Sequence, residues 1–185
     1  MDQSAYIAGF FGVLIGITLT ELIKGIAETL RNRKRIEYYL PHGIMVFAIF
    51  ILIVQSFFDF QWLSRDITNW TPLLIIRFTM PWIIICLCSY LAFPSFEGTH
   101  IIHFKDHFNK SASGAYKICV VLIPLIVIVN IVSLGLTLFH FENLIMLFFL
   151  GLIILCLAFK KDWLTLIPLC LGTCYLLYHT FNYWF

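Results

Sequence analysis

The chain has 185 residues, 61% of them apolar and 12% charged, with a formal net charge of +2 and a mean hydropathy of +0.94. A water-soluble domain carries about 25% charged residues, and half that charge leaves too little polar surface to clothe a domain of this size. A cytosolic enzyme, a nucleic-acid-binding module and a disordered chain are thereby excluded, which leaves an integral membrane protein.

In chain order, residues 1–4 are acidic where a secretory signal is basic, and no small-residue cleavage site follows the first apolar run before Glu21. That run is therefore expected to stay as a membrane span. A bilayer core takes about 20 mostly apolar residues per helix, and six stretches qualify: 5–30, 41–58, 71–93, 118–139, 143–159 and 163–183. Continuous runs of this length do not alternate as barrel strands do. The expected fold is an all-α bundle of six transmembrane helices in a single domain. Short turns at 139–143 and 160–162 predict two close antiparallel hairpins among the last three spans. Segment 94–116 is the one sizeable soluble stretch and is too short to fold alone. Ile101, Ile102, Phe104 and Phe108 stand there among His and Lys residues, which predicts an amphipathic helix lying on the cytoplasmic membrane surface.

Orientation follows from the basic residues. Arg31, Arg33, Lys34 and Arg35 occupy the first gap, Lys105 and Lys110 the third with Lys117 at its edge, and Lys160 and Lys161 the fifth. The other side holds Arg65 against Asp2, Asp59, Asp66 and Glu142. Basic loops stay cytoplasmic, so both termini are expected outside. Trp62, Trp70 and Trp184 on the outer side, with Tyr38, Tyr39 and Trp163 on the inner, suit interfacial belts.

Ionisable residues inside spans are costly and default to functional hypotheses. Glu21, Lys24 and Glu28 are spaced to share one helix face, with His42 at the inner end of the second span as the cross-helix partner. The reading preferred is a polar clamp, ahead of an ion- or proton-handling site. In the outer leaflet, Arg77 is expected to pair with Asp59, helped by Gln55. His100, His103 and His107 stand at a spacing compatible with a transition metal, but a solvated helix face is the preferred reading, and no metal or cofactor is expected. His140 and His179 as haem ligands rest on no further pattern. All six cysteines fall in apolar stretches and read as packing residues. Gly12, Gly16 and Thr20 form a small-residue stripe that invites a neighbouring helix. Pro81, Pro124 and Pro168 interrupt spans, and Asn130 reads as an interhelical hydrogen-bonding residue.

The runs GFFGVLIGITLTELIKG (9–25), RNRKR, YYLPH, VQSFFDFQW and NWTP resemble those of small bacterial polytopic membrane proteins. The resemblance covers roughly the first half and brings no substrate. It implies a bacterial inner-membrane setting and that Glu21, Pro41, His42 and Gln55 belong to one pattern. No serine elbow, H-E-x-x-H or paired Glu-Glu motif of intramembrane proteolysis is present. The expected function is that of a non-catalytic multi-pass membrane component: a scaffold, a regulator or a membrane-active effector of a bacterial system. The alternatives are a small oligomeric transporter or pore for ions or protons, and a membrane enzyme acting on lipid-like substrates. The partners this reading admits are the lipid bilayer, a second copy of the chain and a cytoplasmic protein docking on 94–116, with no nucleic acid.

Overall fold

The structure is a computed structural model that describes residues 3–63, 67, 70–96, 101–135, 137–159, 167–168, 170–175 and 178. Its elements are α1 (Gln3–Arg31), a 3-10 turn (Arg33–Arg35), β1 (Ile36–Glu37), α2 (Leu40–Leu63), α3 (Pro72–Leu91), β2 (Ile102–His103), α4 (Phe104–Leu134) and α5 (Phe141–Phe159). Residues 167, 168, 170–175 and 178 are helical as well. Among the described residues four helices are long and apolar enough to cross a membrane: Ala5–Arg31, Leu40–Phe58, Pro72–Leu91 and Phe104–Val132; Asn143–Phe159 is apolar but shorter.

Local sequence explains several boundaries. Thr71 caps α3, its hydroxyl accepting from the Leu74 amide at 3.3 Å, and Pro72 opens the helix where its missing N–H has no partner to lose. Gly135 ends α4 in the left-handed region at φ 64°, a conformation that costs a side chain free energy and glycine almost none. The turn then closes through the His140 amide donating to the Thr137 carbonyl at 3.0 Å.

α1 faces the bundle with Ile7, Phe11, Thr18, Leu22 and Gly25, a spacing that keeps one face on its neighbours. Phe11, Thr18 and Leu22 are fully buried. Gly25 is where α1 approaches most closely, because an added Cβ there would overlap the Phe93 ring. The small-residue stripe expected at Gly12, Gly16 and Thr20 faces outward instead. Nothing lies within 4 Å of a Cβ built on Gly12 or Gly16. The large residues Phe11 and Leu22 decide which face of α1 turns inward, since they bury far more apolar area than glycine.

Segment 94–116 also departs from expectation. It is not an amphipathic helix lying apart from the fourth span, because α4 runs without a break from Phe104 to Leu134. Phe104, Phe108 and Ala112 stand at i, i+4 and i+8 and are buried at 2%, 1% and 3% exposure, while Lys105, Asp106 and Lys110 stay exposed. The amphipathic stripe is real, but its apolar side packs on protein.

The two ends of the bundle are distinct. At one end the first loop and the segment before α4 pair as parallel strands, Ile36 with Ile102 and Glu37 with His103. At the other, Phe11, Phe60, Trp70 and Phe78 form an aromatic cluster, with Phe11 and Phe60 centroids 4.2 Å apart and Trp70 and Phe78 5.5 Å apart. The helices therefore alternate in direction, and the first and third gaps meet at the same end.

Candidate functional site

The last carbonyls of any helix lack intrahelical donors, and α3 ends inside the bundle, so its Leu91 and Ala92 carbonyls need partners from elsewhere. Three side chains supply them. His42 Nε2 lies 2.7 Å from the Ala92 oxygen. His107 Nε2 lies 3.1 and 3.2 Å from the Leu91 and Ala92 oxygens. Ser111 Oγ donates to the Leu91 oxygen at 2.7 Å. A carbonyl only accepts, so both histidines carry their proton on Nε2. His42 is 4% exposed, with its ring 4.3 Å from that of Phe104 and 5.7 Å from that of Phe93. This cluster locks α2, α3 and α4 together at the paired-loop end.

The opposite end is held by a relay of amides. Arg77 Nε donates to Asn130 Oδ1 at 2.8 Å, Asn130 Nδ2 donates to Asn143 Oδ1 at 3.1 Å, and Asn143 Nδ2 donates to the Thr137 carbonyl at 3.0 Å. Arginine is a pure donor, which sets the orientation of each amide along the chain. Asn130 and Asn143 are buried at 2% and 0% exposure. Arg77 also places its guanidinium carbon 5.3 Å from the Phe78 ring centroid. The relay joins α3, α4, α5 and the turn between the last two.

A half-open cavity of about 730 Å³ lies between these ends, lined by α2, α3, α4, α5 and by Pro168, Gly172, Thr173 and Tyr175. Arg77 and Asn130 bring the amide relay to its wall and Ser111 the histidine cluster, with Gln55, Ser56, Tyr116, Thr173 and Tyr175 as further polar lining. The rest is dominated by side chains such as Ile49, Leu52, Trp82 and Ile123. Along α4 the lining runs from Phe108 to Asn130, about 33 Å at 1.5 Å per residue.

The residues singled out from sequence fall into place unevenly. Glu21 is half-buried and Lys24 exposed; among the described residues neither makes an ion pair with His42, which turns to the end of α3. Arg77 takes an acceptor from α4, while the Asp59 side chain lies outside the described residues and Gln55 shares the cavity wall. His103 and His107 do not share a face. His103 precedes α4 and bonds Glu37 Oε2 through Nδ1 at 2.6 Å, both side chains being exposed, and such surface pairs contribute about 0–1 kcal/mol. His107 is turned inward. His100 and His179 lie outside the described residues, and among those described no group of three His, Cys, Asp or Glu residues is arranged for a metal ion. Asn143 and Ser111 are the residues that sequence reasoning missed. Their only signal was a polar side chain set against apolar runs, as Asn130 had.

No family model, curated protein or solved structure matches the chain.

Proposed function

We propose that the chain is a six-span protein of the bacterial inner membrane, with both termini outside, that acts as a non-catalytic component of a larger membrane system. The observation that carries this reading is the engagement of His42, His107 and Ser111 by the backbone carbonyls that end α3. Of the residues that could carry chemistry at the paired-loop end, His42 and His107, together with Ser111, use their donors to hold helices together. The orientation is supported by the loop pairing, which brings Arg31, Arg33, Lys34 and Arg35 to the same end as Lys105 and Lys110, since basic loops are retained in the cytoplasm. The exposed side of residues 101–110, with Ile101, Lys105, Asp106 and Lys110, is the surface we assign to a cytoplasmic protein partner.

An ion or proton pathway is the competing reading, and the cavity weighs against it. Ion pathways are lined by carbonyls or rings of charge that replace hydration, whereas this wall is mostly apolar, with Ile and Phe its commonest residues. Purified protein in liposomes with an imposed pH gradient tests the choice. The expected result is a decay rate equal to that of protein-free liposomes, both for the native chain and for Glu21→Gln. A faster decay that Glu21→Gln abolishes would assign proton transport to Glu21 and overturn the non-catalytic reading.

A further inference from the structure

We propose that Lys110, Ser113 and Lys117, on the outward face of α4, hold the phosphate of an anionic phospholipid whose acyl chains run along the apolar side chains below them. The proposal rests on the reading that these helices cross a membrane, and it adds a ligand that the reading does not contain.

Depth is the first argument. α3 has 20 residues, Pro72–Leu91, or about 30 Å, the thickness of the hydrocarbon core of a bilayer, so its two ends mark the two faces of that core. Ser111 Oγ donates to the Leu91 carbonyl, which sets residue 111 of α4 at the face on the paired-loop side. Lys110 therefore stands at that face, and Lys117 lies about 9 Å inside it. Both lysines are exposed, and neither makes an ion pair among the described residues. An ammonium turned toward hydrocarbon is costly. Side chains on a helix lean toward its N-terminus, which for α4 is the paired-loop end. The Lys117 stem therefore runs along the helix toward Lys110 and the headgroups.

Hydrogen-bonding chemistry names the ligand. Lys110, Ser113 and Lys117 stand at i, i+3 and i+7 and share one face. The hydroxyls of Thr18, Thr29, Thr79 and Ser89 each donate to the carbonyl four residues back. Ser113 makes no hydrogen bond among the described residues. The face thus offers two ammonium groups, which can only donate, and one uncommitted hydroxyl. Asp106, one turn beyond Lys110, is exposed and pairs with neither lysine. An anion between the two lysines relieves their mutual repulsion, and phosphate oxygens accept from ammonium and hydroxyl groups alike. A zwitterionic head brings an ammonium of its own, which the lysines repel; an anionic head does not. Further along the same face Val121, Leu125, Ile128 and Val132 are exposed at i+4, i+8, i+11 and i+15 from Lys117, an apolar track for acyl chains in line with the phosphate. Lys110 closes the inner edge of the surface assigned above to a protein partner, so the lipid lies beneath that surface and leaves Ile101 and Lys105 to it.

The test is native mass spectrometry of the full chain purified in a neutral detergent, with dioleoyl-phosphatidylglycerol and dioleoyl-phosphatidylcholine as probes of equal chain length. Each basic residue beside an anionic lipid contributes about five-fold, so two predict a preference of about thirty-fold for phosphatidylglycerol, with one molecule retained per chain. Lys110→Gln and Lys117→Gln should each lower the preference by about five-fold, and the double variant should remove it. Neither should lower the melting temperature of the lipid-free protein, because neither lysine holds a described ion-pair partner. Arg33→Gln with Lys34→Gln removes the same charge from the exposed turn before β1 and should leave the preference unchanged. Equal retention of the two lipids, a double lysine variant that keeps the preference, or an equal loss in the Arg33 and Lys34 control would each overturn the proposal. Retention in detergent does not depend on how the spans are directed, so its failure strikes this site alone, whereas failure of the membrane reading shows in the labelling of intact cells.

Discussion

Replacing Asn130 with leucine should lower stability by about 2–3 kcal/mol, read as a clear fall in melting temperature in detergent. The substitution is close to isosteric, so the loss comes from hydrogen bonding. Asn130 accepts from Arg77 and donates to Asn143 while 2% exposed. A bond to a charged donor contributes about 1.5–3 kcal/mol, whereas neutral interhelical bonds in membranes average nearer 0.6 kcal/mol. The Arg77 side of the relay should therefore dominate. Asn130→Asp keeps an acceptor for Arg77, adds an opposite charge and loses only the donor to Asn143, so it should be milder than Asn130→Leu. Asn143→Ala, which breaks the neutral half, should cost about 1 kcal/mol. A leucine variant as stable as the native chain, or an aspartate variant worse than leucine, would show that Arg77 does not depend on this amide.

His42→Ala should be of similar size, about 2–3 kcal/mol, because it removes a buried ring packed on Phe104 as well as a hydrogen bond. His107→Ala should cost about 1 kcal/mol. The sharper expectation concerns the pair. Both rings donate to the Ala92 carbonyl, so either one alone still satisfies it, and only the double variant removes both of these donors, leaving Ser111 on the Leu91 carbonyl. Residues sharing a partner commonly couple by about 0.5–3 kcal/mol. The double variant should therefore lose more than the sum of the two single losses in thermal or chemical unfolding. Strictly additive losses would mean that the two histidines do not share this cap.

Hydropathy was enough to find α1, α2, α3 and α5 to within a few residues, because the length of an apolar run in a membrane is set by bilayer thickness. It was not enough for α4. Lys105, Lys110 and Lys117 read as loop residues, yet a helix can carry such charges on one face while Phe104, Phe108 and Ala112 bury the other. The i, i+4 spacing was visible; what it packed against was not. The same gap separates the expected from the observed polar contacts. Asn130 was recognised as a hydrogen-bonding residue and Arg77 as a charge in need of a partner, but they are 53 positions apart, and spacing along a chain does not say which helices are neighbours. The amide expected to help hold Arg77 was Gln55 on α2, whereas an amide that accepts from it is Asn130 on α4. For His42, the pattern pointed to a partner on α1, while the strongest local demand came from backbone carbonyls at the end of α3, whose position depends on where that helix stops. On α1, glycines advertise close approach without saying which is used, and the Phe93 ring selects Gly25 over Gly12 and Gly16.

The central claim is that the helices cross a membrane in alternating directions, so that the paired loops share one face and the turn after α4 lies on the other. Cysteine labelling with a membrane-impermeant maleimide tests it most directly. Arg33→Cys, Lys105→Cys and Phe139→Cys, each in a background without the six native cysteines, place the probe at exposed positions. With intact cells, Phe139→Cys should react while Arg33→Cys and Lys105→Cys should react only after the membrane is opened. Reaction of all three from one face, or of Arg33→Cys and Lys105→Cys from opposite faces, would contradict the account.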